Sequence, residues 1–119
     1  MENFKLFDAE YRLMELVWQT APIGSTQLAA LAAERLNWKK STTYTVLRKL
    51  AERKILQNEA ARVTPLVTKA QVLHAEGEQL VRKSGSLPLF ITAFLDGRPL
   101  TKEEAATLQQ LITESREGK

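Results

Sequence analysis

The chain has 119 residues, 44% apolar and 26% charged, an ordinary soluble composition with enough apolar material for one compact domain or a small domain with an added oligomerisation element. It has no cysteine and one histidine, His74, which excludes disulfides, thiolate metal sites and cysteine nucleophiles and leaves little for zinc or a histidine-based triad; no cofactor or metal is expected. The net charge of +3 is unevenly spread: residues 35–67 hold eight Lys or Arg against two acids, residues 1–34 two against five, and residues 68–119 seven against seven.

A basic block of this size fits a polyanion-binding face better than a generally solvated surface. No apolar run approaches the roughly 20 residues of a membrane span. The segment MENFKLFDAE carries acids where a signal peptide needs a basic and then apolar start, so a cytoplasmic location without membrane insertion is expected.

Asp8 is the expected cap of a first helix, whose apolar positions Leu13, Met14, Leu16, Val17 and Trp18 recur with helical spacing to about Thr20. Ala21-Pro22-Ile23-Gly24 breaks it, and Ser25 is the expected cap of a second helix with Leu28, Ala29, Leu31, Ala32 and Leu36 inward. That helix should end near Asn37, a residue that tolerates the left-handed conformation.

The stretch WKKSTTYTVLRKLAERKIL, from Trp38 to Leu56, is unusual for a helix because hydroxyl residues crowd its start. A third helix is predicted from between Lys39 and Ser41. At 100° per residue, Thr43, Val46, Leu47 and Leu50 share one face, while Ser41, Thr45, Arg48 and Glu52 cluster opposite, flanked by Thr42, Tyr44 and Lys49. One face is core; the other is polar, hydroxyl-rich and basic.

Ile55-Leu56 and Val63-Thr64-Pro65-Leu66-Val67 read as two short antiparallel strands joined at the polar tip Gln57 to Arg62, with Pro65 where no ladder donor is needed. The tip lacks the glycine that a tight turn prefers. Thr68 should cap a fourth helix through Leu73, Leu80 and Val81 to Lys83, with Gly77 as its weak point. A fifth helix follows Ser84-Gly85-Ser86 and runs from Leu87 to Asp96, stopped by Gly97-Arg98-Pro99. Thr101 and Glu104 form a capping box for a sixth, through Leu108, Leu111 and Ile112.

Helix, short strand, helix, turn, helix and hairpin is the order of a winged helix-turn-helix, whose third helix enters the major groove of double-stranded DNA. The expected fold is therefore mainly α with a small β hairpin: a winged-helix DNA-binding domain at residues 1–67 and a helical dimerisation domain at 68–119. On this reading Ser41, Thr42, Tyr44 and Thr45 approach phosphates or base edges, Arg48 offers a bidentate fork to guanine, and Lys39, Lys40 and Lys49 neutralise phosphates. Arg62 is the basic side chain of the wing, Trp38 anchors the turn in the core, and His74 is a surface or packing residue. The neutral C-terminal segment, with Leu87, Phe90, Ile91, Phe94, Leu95, Leu100, Leu108, Leu111 and Ile112, reads as a homodimer interface.

Two other classes stand beside this reading. A protein-interaction module could keep the winged-helix shape without reading DNA, and Tyr44 and Thr45 would then lie under a protein partner. An enzyme would need a nucleophile, a base and an orienting group together, and no such constellation is evident.

LFDAEYRLMELVWQTAPIGSTQL resembles the first helix and turn of the penicillinase and methicillin-resistance repressors, the BlaI/MecI/CopY family of bacterial winged-helix regulators. WKKSTTYTVLRKLAERKIL is similar to the family's turn and recognition helix, with Thr42, Thr45 and Leu50 on characteristic positions. GSLPLFITAFLDGRPLTKEEAATLQQLI resembles its C-terminal dimerisation segment. The resemblance implies a homodimeric repressor on a palindromic operator, controlling a resistance or stress-response operon. It also implies a membrane sensor protease as a further partner and cleavage between Ala93 and Phe94 as the inducing event, although Ala93 stands where the resistance repressors carry asparagine. Lys39 and Lys40 replace a frequent Ser-Pro start, and Lys54 replaces a common glycine. The paired cysteines of the copper-responsive members are missing, which excludes copper sensing through thiolates.

Overall fold

The computed structural model describes residues 4–117. In chain order these form α1 (Asp8–Thr20), β1 (Ile23–Gly24), α2 (Ser25–Leu36), α3 (Lys40–Glu52), β2 (Leu56–Glu59), β3 (Arg62–Pro65), α4 (Lys69–Ser84), α5 (Leu87–Leu95) and α6 (Lys102–Glu117). The chain divides into two compact units, one running through Gln79 and the other starting at Leu80.

The core of the first unit is built where the three N-terminal helices converge on the sheet. Leu13, Met14 and Val17 of α1, Leu28 of α2, Leu47 and Leu50 of α3, and Ile55, Leu56 and Val63 around the strands are all buried. Each is worth about 1.5–3 kcal/mol of hydrophobic stabilisation before the entropy of ordering it is subtracted. Val72 of α4 completes this core, whereas Leu73 and Leu80 of the same helix are exposed.

The helix starts lie one residue away from the caps expected. Asp8 is the first residue of α1 and pairs with Arg12 at 3.3 Å, while Phe7 occupies the cap position. Glu10 takes over the capping: its carboxylate accepts the Phe7 N–H at 2.9 Å. Likewise Gly24, and not Ser25, is the cap of α2, and Gln27 accepts the Gly24 N–H at 3.2 Å. Ser25 is buried, its N–H donating to the carbonyl of Ala61 at 2.8 Å. At the other end of α2, Asn37 is left-handed as expected, with φ 59° and ψ 39°.

The hairpin carries a third strand. Ile23 of β1 pairs with Val63, so the sheet order is β1-β3-β2, all antiparallel. The turn between β2 and β3 consists of Ala60 and Ala61, with φ of 52° and 62°, so two alanines occupy the conformation usually left to glycine or asparagine. Pro65 lies opposite Leu56, and the adjoining bond runs from the Leu66 N–H to the Ile55 carbonyl at 2.9 Å, so the proline costs no ladder donor.

The junction between the wing and α4 is fixed on α1. The indole of Trp18 bonds the Val67 carbonyl, and Tyr11 meets the indole edge-on with centroids 5.7 Å apart. Thr68 caps α4, its hydroxyl accepting the Gln71 N–H at 3.0 Å while Gln71 accepts the Thr68 N–H at 2.8 Å. Glu15 lies 3.2 Å from the Lys69 ammonium, and that hydrogen bond holds the lysine above its usual pKa.

In the second unit Ser86 caps α5 by accepting the Leu89 N–H at 3.2 Å, after Gly85 turns the chain with φ 109°. Thr101 and Glu104 form the expected reciprocal box, both bonds at 3.0 Å, and open α6. Among the described residues, no helix is long and apolar enough to cross a membrane.

Candidate nucleic-acid interface

The two faces expected of α3 are present. Thr43, Val46, Leu47 and Leu50 are buried, with Thr43 and Leu50 at 0% exposure. Thr43 turns its hydroxyl back to the Lys39 carbonyl at 3.5 Å, which allows a polar residue on the core face.

Ser41, Thr42, Thr45, Arg48, Lys49 and Glu52 are all exposed, and Lys39 and Lys40 flank the start of the helix, also exposed. The Thr45 hydroxyl donates to the Ser41 carbonyl at 3.0 Å, which fixes its rotamer and leaves its lone pairs outward as acceptors. Tyr44 is half-buried, its ring packed on the core. Trp38 packs there too, in the anchoring role expected of it.

Lys39 caps α3 without a side-chain hydrogen bond, so no side-chain acceptor neutralises the positive end of the helix dipole. Among the described residues, Lys39, Lys40, Arg48, Lys49 and Arg62 make no ion pair; the pairs that form are those of Arg12 with Asp8, Arg53 with Glu10 and Lys69 with Glu15. Arg62 is exposed at the start of β3, opposite Glu59 and Gly24. The helix thus brings Lys39, Lys40, Ser41, Thr42, Thr45, Arg48 and Lys49 together on one element, Tyr44 turns partly inward, and Arg62 stands apart on the wing.

Two residues stand beside this face, and the role of the first is not signalled in the sequence. Arg53, the residue that ends α3, lies 2.8 Å from the buried carboxylate of Glu10, 43 positions away. Lys54 follows with φ 62°, the left-handed geometry that a glycine would adopt freely.

The apolar residues expected at a dimer interface lie on the second unit. Leu87, Ile91, Phe94, Leu100, Leu108, Leu111 and Ile112 are exposed, Phe90 and Leu95 are half-buried, and Leu89, absent from the expected set, is exposed as well. Ala93 is exposed within α5. Phe94 stacks on Phe90 with centroids 5.7 Å apart, and the Arg98 guanidinium lies 4.9 Å from the Phe94 ring centre. Among the described residues, no cluster of acidic or histidine side chains could hold a metal ion.

No curated protein matches the chain. Among solved structures, the solution structure of the DNA binding domain of the repressor BlaI superimposes with a TM-score of 0.51 at 23% identity, over 59% of this chain and 92% of that one. That likeness establishes the winged-helix fold of the N-terminal part. The family model described as penicillinase repressor matches residues 6–114, nearly the whole chain. The chain therefore belongs to the penicillinase repressor family, whose members are transcriptional regulators and not enzymes.

Proposed function

We propose that this DNA-binding regulator of the repressor type works as a homodimer on a palindromic operator, with residues 1–67 reading each half-site and residues 68–119 joining the two copies. The observation that carries the reading is the division of α3 into a buried face and an exposed face of hydroxyls and unpaired cations. Arg48 would read a base, Ser41, Thr42 and Thr45 would meet phosphate oxygens or thymine methyl groups, and Lys39, Lys40, Lys49 and Arg62 would neutralise phosphates. Tyr44 would contribute its hydroxyl edge.

The exposed leucines and aromatics of α5 and α6 support self-association, since a contiguous apolar surface of this kind is costly to leave in water. The regulated genes would be those of a resistance or stress response. Release by a membrane sensor protease, through cleavage between Ala93 and Phe94, would first require α5 to open, because that bond lies inside a helix.

Selection of bound sequences from random duplex DNA at near-physiological salt tests the proposal. Enrichment of a palindrome, together with a solution mass of two chains, is the expected result. Recovery of no motif would overturn it and redirect attention to protein partners.

A further inference from the structure

We infer that Glu10 and Arg53 are a positioning pair that sets the angle at which α3 is presented to DNA, an inference that rests on the DNA-binding reading above. One carboxylate oxygen of Glu10 accepts two bonds, from the Phe7 N–H at 2.9 Å and from Arg53 Nη1 at 2.8 Å. The Glu10 side chain is 8% exposed and that of Arg53 28%. The second guanidinium nitrogen of Arg53, Nη2, donates to the carbonyl of Lys5. A single side chain at the end of α3 is thereby bolted to the first turn of α1 and to the segment before it.

The placement matters because α3 is held differently at its two ends. At its start the chain is anchored by Trp38, an apolar contact that tolerates small shifts. At its end the constraint is directional: a planar guanidinium donates to the buried carboxylate of Glu10, on the first turn of α1, and to the main-chain carbonyl of Lys5. Lys49 and Glu52, from the exposed side of α3, line the same recess as Glu10 and Arg53, so the bolt lies directly beside the proposed DNA-facing surface.

A tilt of about 5° about the start of the helix, acting along the roughly 12 Å from Lys40 to Arg48, moves Arg48 by about 1 Å. A base-reading hydrogen bond fails over that distance, while lysines on long flexible stems follow a phosphate easily. Loosening the pair should therefore reduce discrimination between sequences more than it reduces affinity for DNA in general.

Glu10→Gln separates positioning from charge, because the two predict opposite signs. Removing a negative charge by itself strengthens binding to every duplex. The test measures binding of the full-length wild-type and variant proteins, by fluorescence anisotropy, to the selected palindrome and to a scrambled duplex of equal length. Positioning predicts a loss of about tenfold on the palindrome with unchanged or tighter binding to the scrambled duplex. Arg53→Lys, which keeps the charge but not the planar fork, should lose selectivity to a smaller extent and serves if the Gln variant does not fold. Val72→Ala, a destabilising change in the core, should leave the ratio of the two affinities untouched. Equal or tighter binding of the palindrome by Glu10→Gln, or by Arg53→Lys where that variant stands in, overturns the inference. A wild-type protein that does not distinguish the two duplexes removes the DNA-binding reading itself, and this role for the pair with it.

Discussion

The indole N–H of Trp18 donates to the carbonyl of Val67 across 2.9 Å, joining the last turns of α1 to the chain just before α4. Replacing Trp18 with phenylalanine keeps an aromatic ring but leaves that carbonyl without its donor. A loss of about 1–2 kcal/mol in chemical denaturation is expected, with the DNA-binding face unchanged.

The turn at Ala60 and Ala61 places two L-residues at positive φ. Ala61→Gly removes a steric cost while keeping the carbonyl that accepts the Ser25 N–H. The change should raise stability by about 0.5–1 kcal/mol, after allowance for the greater freedom of glycine in the unfolded chain. Thermal unfolding checks it; a lower midpoint would show that the alanines are not strained.

Lys54 is in the same left-handed region at the exit of α3. Lys54→Gly should also stabilise, by about 0.5–1 kcal/mol, since the lysine is exposed and its removal uncovers no core. Its effect on DNA affinity should be a uniform weakening from the lost charge, equal on specific and random duplexes.

Arg48→Ala should cost about 1–3 kcal/mol on the selected palindrome and much less on random DNA, with no change in the unfolding midpoint, because Arg48 is exposed and unpaired. Equal losses on both duplexes would make it a phosphate contact. Affinity should in either case fall steeply with added salt.

Leu111→Lys places a charge in the exposed apolar surface of α6. If that surface joins two copies, sedimentation should show the mass of the wild type moving from two chains to one, with palindrome affinity falling as the second half-site is lost. An unchanged mass would exclude α6 from the interface.

The core face of α3 is legible in the sequence because a helix converts spacing into direction: Thr43, Val46, Leu47 and Leu50 follow the 3.6-residue period and all are buried. The caps at Thr68 and Thr101 can be read because their hydroxyls act locally, within three residues. Asp8 and Ser25 mislead for a related reason. Each is a good capping residue, but Glu10 and Gln27 bond the preceding N–H groups and shift the helix start. The Ala60-Ala61 turn is silent in sequence, since alanine carries no preference for positive φ and the strand pairing imposes it. Glu10 and Arg53 are silent for a different reason: their meeting is a product of tertiary structure, 43 residues apart. On α5 and α6 the sequence shows which side chains are apolar, as the exposure of Leu89 beside Leu87 and Ile91 illustrates, without showing what meets them.

The three-stranded sheet has a further consequence for how the protein avoids aggregation. Both of its outer strands offer little to an incoming chain. β1 is two residues long, preceded by Pro22 and followed at once by a helix, and β2 presents Gln57, Asn58 and Glu59 outward from a four-residue strand. Such edges are poor templates for strand addition. The stickiness of this chain is accordingly carried by helices, whose side chains demand a partner of matching shape, and not by open backbone, which would accept any extended peptide.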